Sequence, residues 1–121
     1  MNSIIETKEK YSVISLNEEK LTTIVAPELK AQFVMMNKKG IKNIIIDLSA
    51  VKYCDSSGLS AILVGNRLCK ERKGTFVLTG IQKTVMKLIS ISQLESVLTI
   101  IPTTKEAIDF ILMEELERDI Q

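Results

Sequence analysis

Three residues with side chains that could do chemistry, Asp55, Ser56 and Ser57, are consecutive near the middle of the chain, and Gly58 follows them. Asp and Ser are preferred N-cap residues, and an apolar pattern with helical spacing begins at Leu59. The hydroxyls are therefore expected where a helix presents free backbone N–H groups and the positive end of its dipole. A serine held there can be presented to a kinase, and a phosphate would add about −1.5 to −2 charges at one point of the surface. Taken alone, the local sequence favours a simple helix cap, because capping serines are common.

Catalytic functions are limited by the residues that the chain contains. It has no histidine, so nucleophiles activated by histidine are excluded. Its two cysteines, Cys54 and Cys69, are too few for a disulfide framework and lack the Cys and His neighbours of a metal site. We expect both to be buried core residues. We also expect no enzymatic activity, no cofactor and no metal.

The overall composition argues against nucleic-acid and membrane partners. Sixteen basic and fifteen acidic residues give a net charge of +1, and only 4% of residues are aromatic. This composition supplies neither a basic field for phosphates nor rings to stack on bases. The N-terminal segment is too polar for a signal peptide, and apolar runs such as Ile44-Ile45-Ile46 are far shorter than a membrane span. We expect a cytoplasmic protein.

Alternating strand and helix patterns surround the Asp55 segment. Two short segments, Ser3 to Thr7 and Tyr11 to Leu16, predict an opening hairpin. Helices are predicted at 25–38 (capped by Thr22 or Thr23), 57–73 and 82–91, with a closing helix capped by Thr103 or Thr104, and strands at 43–48, 75–79 and 97–101. The order ββαβαβαβα predicts one α/β domain over residues 1–121, with a mixed, mostly parallel sheet and helices packed against it.

Helical spacing also predicts which side chains face the core. We expect inward positions for Met35, Met36, Ala107, Ile108, Ile111 and Leu112. The acidic residues Glu114, Glu115 and Glu117 of the closing helix are expected to form a solvated face.

The segment from Ile44 to Leu59, which ends in Asp55-Ser56-Ser57-Gly58-Leu59, resembles the STAS family, which includes bacterial anti-sigma-factor antagonists. The resemblance extends over nearly the whole chain. Its other segments are Ala26-Pro27-Glu28-Leu29-Lys30, Arg67, Lys73-Gly74, Thr79-Gly80, Val85-Met86-Lys87-Leu88 and Leu94-Glu95-Ser96-Val97-Leu98. The resemblance implies a STAS-like domain that acts by partner switching.

In partner switching, the unphosphorylated antagonist binds an anti-sigma factor that is itself a serine protein kinase, and so releases a sigma factor. The kinase then phosphorylates the antagonist, and a serine phosphatase restores binding. The resemblance implies that Ser56 is the phosphorylated residue. It places the partner-binding residues around Ser56, at Asp55, Ser57, Gly58, Leu59, Thr22 and Thr23. We expect a monomer or a weak dimer.

The loop after the second predicted strand departs from the family pattern. Family antagonists usually carry a Gly and an Asp there, whereas this chain has Glu19 and Thr22. Two alternatives stay open: an operating phosphorylation switch, or a scaffold module in which Ser56 only caps a helix. A tail module of a transporter is a third alternative. A receiver domain, with Asp47 as phospho-acceptor and Glu18-Glu19 as its acidic pair, is a fourth, but Lys105 falls inside a helix rather than directly after a strand.

Overall fold

The structure of the protein is a computed structural model, and it describes residues 1–120. The end of the predicted domain, Gln121, lies outside the described residues. The strands are β1 (Ser3–Thr7), β2 (Ser12–Leu16), β3 (Lys20–Leu21), β4 (Ile44–Asp47), β5 (Tyr53–Cys54), β6 (Phe76–Thr79) and β7 (Thr99–Ile100). The helices are α1 (Ala26–Lys38), α2 (Ser56–Glu71), α3 (Lys83–Ile91) and α4 (Thr104–Asp119). Within residues 1–120 no helix is long and apolar enough to cross a membrane.

Five strands form the main sheet, in the order β1-β2-β4-β6-β7. The opening hairpin, β1 with β2, is antiparallel, and the other three neighbouring pairs are parallel. This arrangement confirms the predicted α/β fold with a mixed, mostly parallel sheet. In register, Ser15 lies beside Asp47, and Asp47 lies beside Thr79. The carboxyl ends of the three central strands therefore meet at one edge, where loops of α/β sheets commonly carry function.

Strand β4 is buried on both faces, as its uninterrupted apolar sequence predicts. Ile44 and Ile46 belong to the large core cluster that also contains residues of α1, α2 and α3. Ile45 lies on the opposite face, with Val77 of β6, and packs with Ala107 and Ile111 of α4. The helices thus form two layers, with α4 on one side of the sheet and the other three helices on the other.

Two short strands, β3 and β5, were not predicted. They pair in parallel as a second sheet, with Lys20 beside Tyr53 and Leu21 beside Cys54. A strand of two residues is too short to show the alternation by which strands are recognised in a sequence. This small sheet matters because it links the loop after β2 to the start of α2.

The predicted cap of α1 was wrong. Val25 occupies the N-cap position and makes no side-chain capping bond. Thr22 contributes its backbone instead, since its carbonyl oxygen accepts hydrogen bonds from the amides of Val25 and Ala26 at 3.0 and 2.8 Å. The cap of α4 was predicted correctly, because the hydroxyl of Thr103 accepts a hydrogen bond from the amide of Glu106.

Three predictions about burial were also wrong. Met35 and Leu112 are exposed on the outer sides of α1 and α4, whereas Glu115 is buried. The carboxylate of Glu115 accepts a hydrogen bond from Asn43 at 2.9 Å and another from Arg118 at 3.0 Å, and Lys42 lies 3.5 Å away. Burial alone would raise the pKa of this carboxyl group, but these partners outweigh it and lower the pKa below its usual value.

Candidate partner-binding site

Helix α2 begins at Ser56 because Asp55 caps it. Asp55 has an extended backbone, with φ −105° and ψ −175°, and its carboxylate accepts a hydrogen bond from the amide of Gly58 at 2.9 Å. This is the geometry of an N-cap residue that satisfies a donor in the first helical turn. Ser56 is the first helical residue, and its side chain is exposed. Its hydroxyl therefore lies at the positive end of the helix dipole and is accessible to a partner.

The second sheet holds the loop after β2 against the start of α2. Its pairing is extended by the carbonyl oxygen of Glu19, which accepts hydrogen bonds from the amides of Lys52 and Tyr53 at 2.8 and 3.1 Å. The carbonyl oxygen of Leu21 accepts one from the amide of Asp55 at 3.3 Å. Two segments that are more than thirty residues apart in sequence are thereby fixed side by side.

Gly58 allows this close approach. A Cβ atom at this position would overlap the carbonyl oxygen of Leu21 and would lie 2.8 Å from the sulfur of Cys54. The Cβ atom would be closer to each of these two atoms than a van der Waals contact allows. A side chain at position 58 would therefore force β3 away from α2. Gly58 was included in the predicted site because it belongs to the segment Asp55-Ser56-Ser57-Gly58-Leu59. The structure shows why a glycine fits there: a Cβ atom would overlap β3.

The hydroxyls of Thr23 and Ser57 lie 3.2 Å apart and are hydrogen bonded. Of the two adjacent serines, Ser57 therefore joins the two loops, whereas Ser56 points outward. The predicted residues Asp55, Ser57, Gly58 and Thr23 are thus brought together around Ser56. Two others differ in position: Thr22 is half-buried at the start of α1, and Leu59 is buried in the core. Leu59 supports this surface from below rather than forming part of it.

Two exposed apolar residues beside the site were not predicted from the sequence. Ile24 directly follows Thr23 and is 85% exposed, and Tyr53 of β5 is 54% exposed. Large apolar side chains that are exposed beside a polar site often anchor a protein partner. Sequence patterns do not distinguish them from core residues, because exposure depends on which distant segments pack over a side chain.

Cys54 lies under this surface but is not suited to nucleophilic chemistry. Burial raises the pKa of its thiol to about 12, and the negative charge of Asp55 contributes to the same effect. Burial likewise raises the pKa of the Cys69 thiol to about 12. Both side chains are buried, as predicted from the sequence. They remain protonated at neutral pH and behave as small core residues.

The carboxylates required by the receiver alternative do not converge. Asp47 accepts a hydrogen bond from the amide of Ser49 at 2.9 Å. Glu18 accepts one from the amide of Asn2 at 2.6 Å, and Glu19 pairs with Lys52 at 3.4 Å. In the described part of the chain, no three acidic, Cys or His side chains are grouped so that they could hold a metal ion. An acidic phospho-acceptor pocket is therefore not formed around Asp47.

Comparison with known proteins identifies the same architecture. The family model for the STAS domain matches residues 2–107. An anti-sigma factor antagonist from Mycobacterium paratuberculosis is 21% identical, with 91% of this chain and 92% of that chain covered and a TM-score of 0.80. SpoIIAA, a Bacillus cell fate determinant solved in its phosphorylated form, is 23% identical over 91% of this chain and 99% of that chain, with a TM-score of 0.71.

A third similar structure is a variant of RsbS from Moorella thermoacetica. It is 22% identical, with 98% of this chain and 99% of that chain covered and a TM-score of 0.75. At these identities the structural likeness establishes the fold, while the family model covers most of the sequence. The chain belongs to the STAS domain family.

Proposed function

We propose that this protein is an anti-sigma-factor antagonist that works by partner switching. In its unphosphorylated form it binds an anti-sigma factor that is also a serine kinase, and phosphorylation of Ser56 releases it. A serine phosphatase would reset the switch, and all three proteins would act in the cytoplasm. The observation that carries this proposal is the exposed hydroxyl of Ser56 at the N-terminus of α2, beside Asp55. In this role the site binds a protein partner and carries out no catalytic step.

The local charges explain how a phosphate would act. Asp55 already accepts the hydrogen bond of the Gly58 amide, so that donor is not free to neutralise a phosphate. The amides of Ser56 and Ser57 can offset only part of about −1.5 to −2 added charges. The remaining negative charge would lie next to the Asp55 carboxylate and the exposed Ile24. An interface formed with the unmodified surface would then lose affinity through repulsion and desolvation.

The partner can be isolated by a pulldown from the source cell, and its affinity for three forms of the protein can be compared. We expect Ser56→Asp to weaken binding by more than about tenfold, and enzymatically phosphorylated protein to weaken it at least as much. Ser60→Asp is the matched control, because Ser60 is exposed on the same helix one turn later. Equal affinities of the wild type, Ser56→Asp and the phosphorylated protein would refute the switch.

The residue at position 22 affects how fast the kinase phosphorylates Ser56. Its backbone lies at the start of α1, and its neighbour Thr23 is hydrogen bonded to Ser57. A carboxylate at position 22 would therefore lie near the residues that hold Ser56 and could orient its hydroxyl or contact the kinase. We expect slow phosphorylation of the native protein and a higher rate for Thr22→Asp, measured by intact mass after incubation with kinase and ATP. Stoichiometric phosphate on native Ser56, with no gain from Thr22→Asp, would contradict this role.

The second candidate function is a binding module that is not regulated by phosphorylation. The observation that favours it is the neutral Thr22 at the position where family antagonists usually carry an Asp. In that case Ser56 would carry no phosphate under any condition, and the partner would bind wild type and Ser56→Ala equally well. Intact-mass measurement of protein purified from its source, with and without phosphatase inhibitors, separates the two functions.

A further inference from the structure

The outer side of α4 exposes an apolar stripe. Helix α4 lies on the opposite side of the main sheet from α2, the helix that begins at Ser56. The outer stripe of α4 consists of Leu112, Met113 and Leu116 together with Ile120, the residue directly after the helix; they are 43%, 58%, 58% and 78% exposed. Their spacing of three and four residues aligns them along one side of the helix. Ala107 and Ile111 face the sheet from the opposite side. The helix is therefore apolar on two sides, and only one of them is covered.

The charges that α4 itself carries are mostly negative. Helix α4 contains six acidic and two basic residues, a net charge of −4. Of the two basic residues, Arg118 turns inward and binds Glu115 and Thr75. The exposed charges on α4 itself are Lys105 near its N-terminal end and the acidic residues Glu106, Asp109, Glu117 and Asp119. At its C-terminal end, the lysines of neighbouring segments line a cavity with Glu115 and Asp119; they are Lys8, Lys10, Lys39 and Lys42. The negative end of the helix dipole lies at the same end as Glu117 and Asp119.

We infer that the outer stripe of α4 is a docking surface for a basic amphipathic helix of a partner protein. An apolar stripe with acidic flanks is complementary to a helix that has leucine-like residues on one side and Lys or Arg beside them. A second copy of the chain fits poorly, because two helices of charge −4 would repel each other. An anionic lipid surface is disfavoured for the same reason. This docking surface is separate from the Ser56 site and does not depend on the proposed function.

The size of the outer stripe of α4 determines how tightly a partner helix is expected to bind. Four partly exposed side chains bury less than the ~800 Å² per partner of a standard interface. The interaction should therefore be weak and reversible, and it should depend on ionic strength because its charged flanks are exposed to solvent. All four stripe residues lie beyond residues 2–107, the part matched by the STAS family model.

Two synthetic helical peptides of about 18 residues, or five turns, test the inference. Both carry the same leucine stripe, one with lysine flanks and the other with glutamate flanks, and each is titrated with the full chain by fluorescence anisotropy. We expect the lysine peptide to bind at least about tenfold more tightly than the glutamate peptide, with a difference that shrinks in high salt. Equal binding of the two peptides, or no binding of the lysine peptide, would overturn the inference.

Substitutions on the protein locate the binding surface. Leu112→Gln with Leu116→Gln should weaken lysine-peptide binding by about tenfold or more, because both are exposed anchors. Glu117→Lys with Asp119→Lys should reverse the preference between the peptides. Ile91→Gln, at an exposed apolar residue of α3, is the matched control and should bind like the wild type. Unchanged binding by the leucine variant, or a dimer that this variant dissociates in light scattering, would show that the stripe has another role.

Discussion

Replacing Gly58 with alanine tests whether the close approach of α2 to β3 builds the Ser56 site. The added Cβ would lie 2.8 Å from both the Cys54 sulfur and the Leu21 Cγ, and it would overlap the Leu21 carbonyl oxygen. That oxygen belongs to the backbone of β3 and accepts the hydrogen bond of Asp55. It cannot rotate away as a flexible side chain could. The strand must move, or the first turn of α2 must tilt.

Two opposing contributions set the magnitude. Overpacking of this kind costs about 1–3 kcal/mol, whereas alanine is favoured over glycine within a helix by up to about 1 kcal/mol. We expect a net loss of about 1–2 kcal/mol in the free energy of unfolding, measured by urea denaturation. Ser60→Ala is the matched control, because this exposed residue lies on the same helix and should change stability by no more than about 0.5 kcal/mol.

Measuring the affinity for the partner distinguishes a local change at the Ser56 site from a general loss of stability. If β3 moves, Thr23 moves with it, and its hydrogen bond to Ser57 is lost. Gly58→Ala should therefore bind the partner more weakly than Ser60→Ala under conditions in which both proteins are fully folded. A Gly58→Ala protein with wild-type stability and wild-type partner affinity would refute the argument, because it would mean that β3 can shift without disturbing the site.

Two further predictions concern other polar contacts. Asp55→Ala should lower the free energy of unfolding by about 1 kcal/mol because it removes the cap of α2, whereas Ser56→Ala should cost less; equal losses in urea melts would contradict the assignment of the cap. Glu115→Gln should destabilise the protein at pH 7, because the pKa of Glu115 is lowered in the folded state. A lowered pKa gives stability that is present above the usual value of 4.5 and is lost as the pH falls through the folded value. The difference between wild type and Glu115→Gln should therefore shrink in melts at progressively acid pH, and a constant difference would show that the charge of Glu115 is not responsible.

The sequence predicted the order of the main elements because each has a strong periodic pattern. The apolar run at Ile44 to Ile46 indicated a strand buried on both faces, and Asp55 to Gly58 indicated the start of a helix. Both are local signals. The resemblance to the STAS family then indicated the family and singled out Ser56, whereas the local pattern alone favoured a simple helix cap.

The remaining features depend on contacts between distant segments. The pairing of β3 with β5 involves two residues on each strand, which is too few for a pattern, and Tyr53 is one of the paired residues. Glu115 looked like a surface residue because acidic side chains are rarely buried without partners. One of its partners, Asn43, lies 72 positions earlier in the chain. No local pattern of the closing helix could have indicated that contact.

The position of α4 also has a consequence for how the protein is made. All five strands of the main sheet precede α4 in sequence, so they leave the ribosome before the helix that covers Ile45 and Val77. Until α4 emerges, that face of the sheet is apolar and uncovered, and Asn43 lacks its bond to Glu115. Transiently exposed strands of this kind are prone to aggregation. The nascent chain is therefore exposed to aggregation through this face in the interval between synthesis of β7 and docking of α4.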